Sequence, residues 1–235
     1  MKLTEQHIEN LYKFTRQHYV YHYDVQSELV DHLANDIEQI WEEYPKITFE
    51  QARDKSFKKF GIFGFMDVIE AKQKQMNKRY WKIIIRFVKE WFSIPKIIAT
   101  TSLFLAIFFT LKINYTEYIL LGAILLLFTY NAVKQIRERK ISKEKKEKQE
   151  KTFLLEAMIG ETRNGFSGFV FVHVFNSINL IRIPFSELED HWLAIIAASA
   201  TLLIILFYVT SYLIPQKAEE LLQETYPEYK MVKNL

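Results

Sequence analysis

The sequence predicts an all-α protein with an N-terminal cytoplasmic helical domain followed by a four-helix transmembrane bundle. Three observations lead to this fold class. Apolar residues recur every three or four positions through residues 1–92, four long apolar segments follow, and basic residues are concentrated between the second and third of them. The chain contains no cysteine, which excludes a disulfide framework and a cysteine metal site.

Residues 1–76 are predicted to form the N-terminal domain, beginning with two helices. Thr4 is a capping residue in front of the first helix, whose apolar pattern includes Ile8 and Leu11. For the second helix, Asp24 is expected to be the cap and Pro45 to mark the end. Its apolar stripe consists of Val25, Leu29, Leu33, Ile37, Ile40 and Trp41. A stripe of this length favours a folded domain over a disordered tail.

A third helix and the start of a long fourth helix complete the N-terminal domain. Thr48 and Gln51 have the spacing of a capping box, and Gly61 is a natural helix terminator. The sequence IFGFMDVIEAKQKQM then begins a helix that runs on into a basic amphipathic segment, residues 77–96.

The segment 77–96 has the pattern of a helix that lies along a membrane surface. Its basic residues fall in one arc of a helical wheel: Lys78, Arg79, Lys82, Arg86 and Lys89. A broad apolar face that includes Trp81 and Trp91 lies opposite. This pattern predicts an interfacial helix that leads into the first span, with Pro95 marking the break between the two.

Four apolar segments form the predicted membrane domain, residues 97–214. They are Ile97–Ile113, Tyr118–Val133, Gly165–Ile181 and Trp192–Ile214. About 20 residues cross a ~30 Å hydrocarbon core, so the first three segments are short for a span and the fourth is long enough. The third segment is the most polar. An alternative interpretation of it is a helix buried among the others, with little lipid contact.

Charge sets the expected topology. The connection 134–151 has nine Lys or Arg against four Glu, whereas the two short turns have one basic residue each, Lys112 and Arg182. Short basic loops stay cytoplasmic. We therefore expect a multi-pass protein of the inner (cytoplasmic) membrane, with both termini and the tail 215–235 in the cytoplasm.

The third span carries an intramembrane polar face. Its members are His173, Asn176, Ser177 and Asn179. Polar groups in hydrocarbon are costly without partners, so this face is expected to point into the bundle. Hydrogen bonding between helices is the favoured interpretation, since no Asp or Glu accompanies His173; a polar ligand site or a proton relay is the alternative.

Acidic residues and a histidine share one face of the second helix. Glu28, His32 and Asp36 lie at i, i+4 and i+8, and Asp31 lies beside them. Metal ligands can have this spacing, but the sequence lacks a HExxH pattern and acid–histidine faces are common on surfaces. The face is therefore predicted to form surface or intradomain hydrogen bonds, with partner binding as an open option, and no metal is expected.

No catalytic motif is present in the sequence. It contains no phosphate-binding Gly-rich loop and no GxSxG elbow. Ser186, Glu187 and His191 are expected to cap the fourth span rather than to form a nucleophile group. We expect no enzymatic activity and no cofactor.

One part of the N-terminal domain resembles a known family. The sequence from Tyr23 to Phe65 has an acidic helix with a Glu28-x-x-Asp31-His32 core, a second short helix and a Phe60-Gly61 turn. This order resembles HAAS, a small helical module of bacterial membrane proteins associated with PadR-type regulators. The resemblance covers about a fifth of the chain and implies a cytoplasmic helical domain attached to spans, in signalling or regulation.

The favoured function is regulatory. We expect a membrane-bound regulatory or adaptor protein that acts through protein–protein contacts of its cytoplasmic domain. The alternative is a small transporter, or a transporter subunit, that uses the polar face of the third span. Expected partners are the lipid bilayer, a protein and, as an open option, further copies of the chain; nucleic acid is not expected, because the aromatic residues of 77–96 form an apolar face.

Overall fold

A computed structural model describes residues 2–116, 151–162 and 184–233, together with separate positions between 118 and 143. Helices are the only extended regular structure among these residues, and the described part of the chain contains no strand. The prediction of an all-α fold is confirmed.

The chain divides into two compact units. The N-terminal unit comprises Met1–Tyr80, Lys151–Ala157 and Val232–Leu235, and the second unit comprises Trp81–Glu150 and Met158–Met231. The N-terminal unit therefore includes a segment, 151–157, that is distant in sequence from the rest of it. Sequence periodicity did not indicate this addition.

Three short helices form the framework of the N-terminal unit: α1 Glu5–Gln17, α2 Tyr23–Glu43 and α3 Phe49–Lys58. At the start of α1, Thr4 Oγ1 accepts a hydrogen bond from the backbone N of His7, and the Thr4 backbone N donates to His7 Nδ1. Thr48 and Gln51 form the same reciprocal capping box at α3. Both predicted caps are confirmed, because in each case the side chain satisfies an amide that the helix leaves unpaired.

The core of the N-terminal unit is built on α2, which contacts both α1 and α3. All six residues of its predicted stripe are buried: Val25, Leu29, Leu33, Ile37, Ile40 and Trp41. Leu11 and Phe14 of α1 and Ala52 of α3 are buried as well. Burial of each large apolar side chain contributes about 1.5–3 kcal/mol, so this stripe contributes substantially to the unit's stability.

The predicted role of Asp24 as the cap of α2 is wrong. The N-cap of α2 is His22, and no side chain caps this helix. Asp24 Oδ1 instead accepts a hydrogen bond, 2.9 Å long, from the backbone N of Leu154. Leu154 is the first residue of the helical segment 154–162. The carboxylate thus satisfies an orphan amide of another helix.

The turn after α3 depends on two glycines. Gly61 has φ +77° and Gly64 has φ +56°, both in the left-handed region that residues with a Cβ rarely adopt. A Cβ on Gly64 would also lie 2.9 Å from Cζ of Phe57. The close approach lets Phe57 and Phe65 pack with ring centroids 4.9 Å apart.

A sharp break separates α4, Met66–Trp91, from α5, Ile94–Leu111. Ser93 is the N-cap of α5, and the proline predicted to mark the break lies in the first turn. The axes of the two helices differ in direction by 87°.

A long apolar helix, α6, pairs with α5 in the second unit. It comprises Asp190–Tyr208, a π-helical turn Val209–Leu213, and Ile214–Gln216. Leu111 of α5 packs with Leu193 and Ala197 of α6.

The two helices are antiparallel. Lys112, at the end of α5, forms a 2.7 Å ion pair with Asp190, at the start of α6. Trp91, just before α5, contacts Tyr208 near the other end of α6, with ring centroids 5.1 Å apart. The residue in front of α6 is Glu189, without a side-chain capping bond. The prediction that Ser186, Glu187 and His191 cap this helix is therefore wrong.

One helix among the described residues is long and apolar enough to cross a membrane: α6, Asp190–Gln216. The bent pair α4–α5 passes the same test when the two are taken together. In the predicted second span, the described positions are helical. The third span lies outside the described residues.

Two short helices follow α6. They are α7, Ala218–Thr225, and α8, Tyr229–Lys233. Leu221 and Leu222 of α7 are buried, whereas its acidic residues are not. The tail therefore forms an amphipathic helix that stops before Pro227.

Candidate functional site

The acidic face of α2 is partly occupied by lysines from the same unit. Glu28 forms a 2.5 Å ion pair with Lys72, and Asp36 forms one of the same length with Lys59. Asp31 and His32 are exposed between these pairs. Within the described ranges, no group of three histidine or acidic side chains is placed to hold a metal ion.

The Asp36–Lys59 pair lowers the pKa of the Asp36 carboxyl. Burial of Asp36 is the largest single effect and raises the pKa, but it is outweighed by hydrogen bonds from Lys59 and Ser56 together with the nearby charges of Lys59 and His32. Because the pKa in the folded state is below that in the unfolded state, the charged carboxylate stabilises the fold. This contribution is complete above the unfolded pKa and is lost as the pH falls through the folded pKa.

Replacing Lys59 by methionine is expected to raise the pKa of Asp36, and NMR titration of its side-chain carboxyl measures the change. The matched variant Lys58→Met removes the same charge from an exposed neighbour and is expected to leave the titration unchanged. At neutral pH, Asp36→Asn is expected to cost about 0.5 kcal/mol of unfolding free energy. This cost should disappear in acid; a cost that persists below the folded pKa contradicts the assignment.

An exposed apolar turn follows α3. Ile62 is 99% exposed and Phe63 is 70% exposed, and Met66 at the start of α4 is also exposed. We call these three residues the apolar turn. Contiguous exposed apolar side chains often mark an interaction site. The sequence analysis missed this surface, although the two glycines that bracket Phe63 are the local signal for it.

Residues 151–157 pack against the N-terminal unit, and we call them the docked segment. The backbone N of Tyr23 donates to the carbonyl oxygen of Thr152 at 2.9 Å, next to the bond between Asp24 and Leu154. Phe153 and Leu155 are fully buried, and the Phe153 ring meets that of Tyr23 edge-on. Sequence position gave no indication of this contact, because it joins residues about 130 apart.

Near the end of the chain, Lys233 makes a further contact with the docked segment. Its Nζ lies 3.3 Å from Oε2 of Glu156. Both residues belong to the N-terminal unit. The unit therefore combines residues from the beginning, the middle and the end of the chain.

The apolar face of the predicted interfacial helix has two different environments. Tyr80, Ile83, Ile84 and Phe87 are buried in the protein. Trp81 is 60% exposed, and Ile85 and Phe92 are exposed as well. The apolar face predicted from the sequence is broad because it consists of a buried strip and an exposed strip that lie side by side.

Trp91, one of the predicted membrane-interface residues, is half-buried and contacts other parts of the protein. Its Nε1 donates to Oγ1 of Thr100 at 3.1 Å, and its ring contacts Tyr208. Lys96 Nζ lies 5.2 Å from the same ring. These contacts assign Trp91 to the junction of α4, α5 and α6.

The predicted basic residues of the interfacial helix all lie on its exposed side: Lys78, Arg79, Lys82, Arg86 and Lys89. Arg86 differs from the others because its guanidinium pairs with Glu224 of α7 at 3.3 Å. Lys217 Nζ lies 5.9 Å from the Phe87 ring on the same side. The tail thus contacts one edge of the basic arc.

The predicted polar face of the third span, His173, Asn176, Ser177 and Asn179, lies outside the described residues. Buried polar side chains are present instead in the π-helical turn of α6. Thr210 Oγ1 donates to the carbonyl oxygen of Leu206 at 2.8 Å, and Ser211 is buried beside it. π-Helical turns often occur at functional sites, but no sequence periodicity predicted this one.

Comparison of the chain with family models, curated proteins and solved structures gives no match. Function is therefore argued from the surfaces described above. The resemblance to HAAS modules stays a prediction.

Proposed function

We propose that the chain is a multi-pass inner-membrane protein with a regulatory or adaptor function, which acts through protein contacts of its N-terminal unit. The exposed apolar turn is the observation that supports the adaptor function. The membrane part is supported by the surface of the α5–α6 pair. The likeness of the acidic helix and the Phe60-Gly61 turn to HAAS modules supports a regulatory role.

The α5–α6 pair exposes large apolar side chains away from its contact. These are Ile97, Ile98, Leu105 and Phe109 on α5, and Ile195, Leu202, Leu203 and Ile204 on α6. Lipid chains are the environment in which such a surface is stable. In this proposal, both helices cross the bilayer in opposite directions, together with the predicted second and third spans. The start of α5 and the end of α6 then lie on the same side.

The basic connection 134–151 supports a cytoplasmic location for both of those ends. A cysteine-free chain gives a direct test, because each introduced cysteine is labelled without background. Lys143→Cys in intact cells is expected to resist a membrane-impermeant maleimide, whereas Glu187→Cys in the outer turn should react. Labelling of both variants, or the reverse pattern, overturns the topology.

Adaptor function is proposed for the apolar turn because it is exposed and lies beside a packed aromatic cluster. The rings of Phe57, Phe60 and Phe65 pack with one another, with centroid distances of 4.9 to 6.5 Å. A partner that covers Ile62 and Phe63 removes two large apolar side chains from water. The partner proposed for this turn is a cytoplasmic protein with an apolar groove.

Crosslinking in cells tests the adaptor function in the full-length chain. A photo-crosslinking amino acid in place of Phe63 is expected to capture one protein partner reproducibly, because the side chain enters the groove of that partner. The same amino acid at Lys74, an exposed position of α4, is the control and should capture little. Equal crosslinking at both positions, or adducts with lipid alone at position 63, contradicts the proposal.

No described residue favours the transporter alternative. It depends on the third span, whose polar residues lie outside the described part of the chain.

A further inference from the structure

An exposed apolar strip runs along the second half of α4. Trp81 and Ile85 lie about 40° apart on a helical wheel of 3.6 residues per turn, and Phe92 directly follows the last residue of α4. All three are exposed, whereas Ile83, Ile84 and Phe87 on the other side of the helix are buried. We call the three exposed residues the Trp81 strip. Among the large apolar residues from Tyr80 to Phe92, only these three are exposed.

Basic residues border the Trp81 strip on its solvent side. Lys82 and Lys89 are exposed and are separated from Ile85 by about 40–60° on the same wheel. Only one acidic residue, Glu90, occurs between residues 78 and 92, against five basic ones. The apolar strip is therefore combined with a local excess of positive charge, which is the complement of an anionic surface.

The bend between α4 and α5 gives this edge its orientation. The two helices are inclined by 87°. When α5 crosses a bilayer close to the membrane normal, α4 must run close to the plane of the membrane. A helix in that plane, joined directly to the start of a span, lies at the level of the lipid headgroups. Tryptophan favours this level, and lysine side chains extend from it toward phosphate groups.

We infer that the Trp81 strip, together with Lys82 and Lys89, binds the headgroup region of anionic phospholipids. The inference rests on the proposed membrane location of α5 and α6. Trp81, Ile85 and Phe92 enter the boundary between headgroups and acyl chains, and the two ammonium groups pair with lipid phosphates. Trp91 has no part in this site, because its indole is hydrogen-bonded to Thr100 and packed on Tyr208.

Lipid selectivity tests the charged part of the site. The full-length chain, purified in detergent, is incubated with equal amounts of phosphatidylglycerol and phosphatidylcholine, and the bound lipids are counted by native mass spectrometry. We expect a preference for phosphatidylglycerol that falls about fivefold for each lysine removed in Lys82→Gln and Lys89→Gln. The control pair Lys13→Gln and Lys46→Gln, on the N-terminal unit, removes the same charge and is expected to keep the preference.

Fluorescence tests the apolar part of the site. Vesicles of brominated phosphatidylglycerol quench the fluorescence of tryptophans that contact lipid. The quenched part of the emission is expected to fall more in Trp81→Phe than in Trp91→Phe. Equal losses, or an unchanged lipid preference in the Lys82→Gln/Lys89→Gln variant, overturn the inference and leave the membrane location intact. A chain that stays monodisperse without detergent and enters no vesicle overturns the proposed function itself.

Discussion

Phe153→Ala is expected to lower the free energy of unfolding of the N-terminal unit by about 3–5 kcal/mol. The Phe153 ring is fully buried and packs edge-on against Tyr23, so its removal leaves a cavity between the docked segment and α2. The docked segment should then separate from the unit. Chemical unfolding of the full-length protein in detergent, followed by hydrogen exchange at the Leu154 amide, measures both effects.

Phe63→Ala is the matched control for this prediction. It removes the same side chain from the exposed apolar turn of the same unit, and it is expected to change stability by no more than about 0.5 kcal/mol. If Phe153→Ala and Phe63→Ala have equal effects on unfolding, the docked segment is not part of the core. Fast exchange of the Leu154 amide in the unaltered protein leads to the same conclusion.

Ala197→Leu is expected to destabilise the α5–α6 pair by about 1–3 kcal/mol. Ala197 is fully buried where α6 meets Leu111, so three additional carbon atoms must push the helices apart. Thermal unfolding in detergent, followed by circular dichroism, is the measurement. A decrease of about 2–4 °C in midpoint is expected for each kcal/mol lost.

The neighbouring residue supplies the control. Ala198 is exposed on the same helix, and Ala198→Leu makes the identical chemical change on the surface assigned to lipid. It is expected to leave the midpoint unchanged or slightly raised. A larger loss for Ala198→Leu than for Ala197→Leu would mean that α6 uses the opposite face to contact its neighbours.

Local features of the fold were accessible from the sequence. The capping boxes at Thr4 and Thr48, the stripe of α2 and the break before α5 depend on interactions within a few residues, and periodicity or capping chemistry reports such interactions directly. Hence the starts of α1 and α3 and the end of α2 were predicted close to their observed positions. The hydrophobic face of these helices is also the one that the structure buries.

Features that depend on distant residues were not accessible. Asp24 satisfied every local criterion for a helix cap, yet its carboxylate accepts from Leu154, about 130 residues away. Trp81 and Trp91 belong to the same apolar face of a wheel, and tertiary packing alone distinguishes the exposed Trp81 indole from the half-buried, hydrogen-bonded indole of Trp91. Periodicity describes one helix at a time and contains no information on what another part of the chain covers.

The docked segment has a consequence for the order of events during synthesis. Tyr23 and Asp24 leave the ribosome well before their partners Thr152 and Leu154, with about 130 residues still to be translated. At about 5–20 residues per second, this interval is roughly 7–26 s. Throughout it, the nascent N-terminal unit presents an unfilled surface that a chaperone can recognise, so its final native state is reached only after translation has passed the middle of the chain.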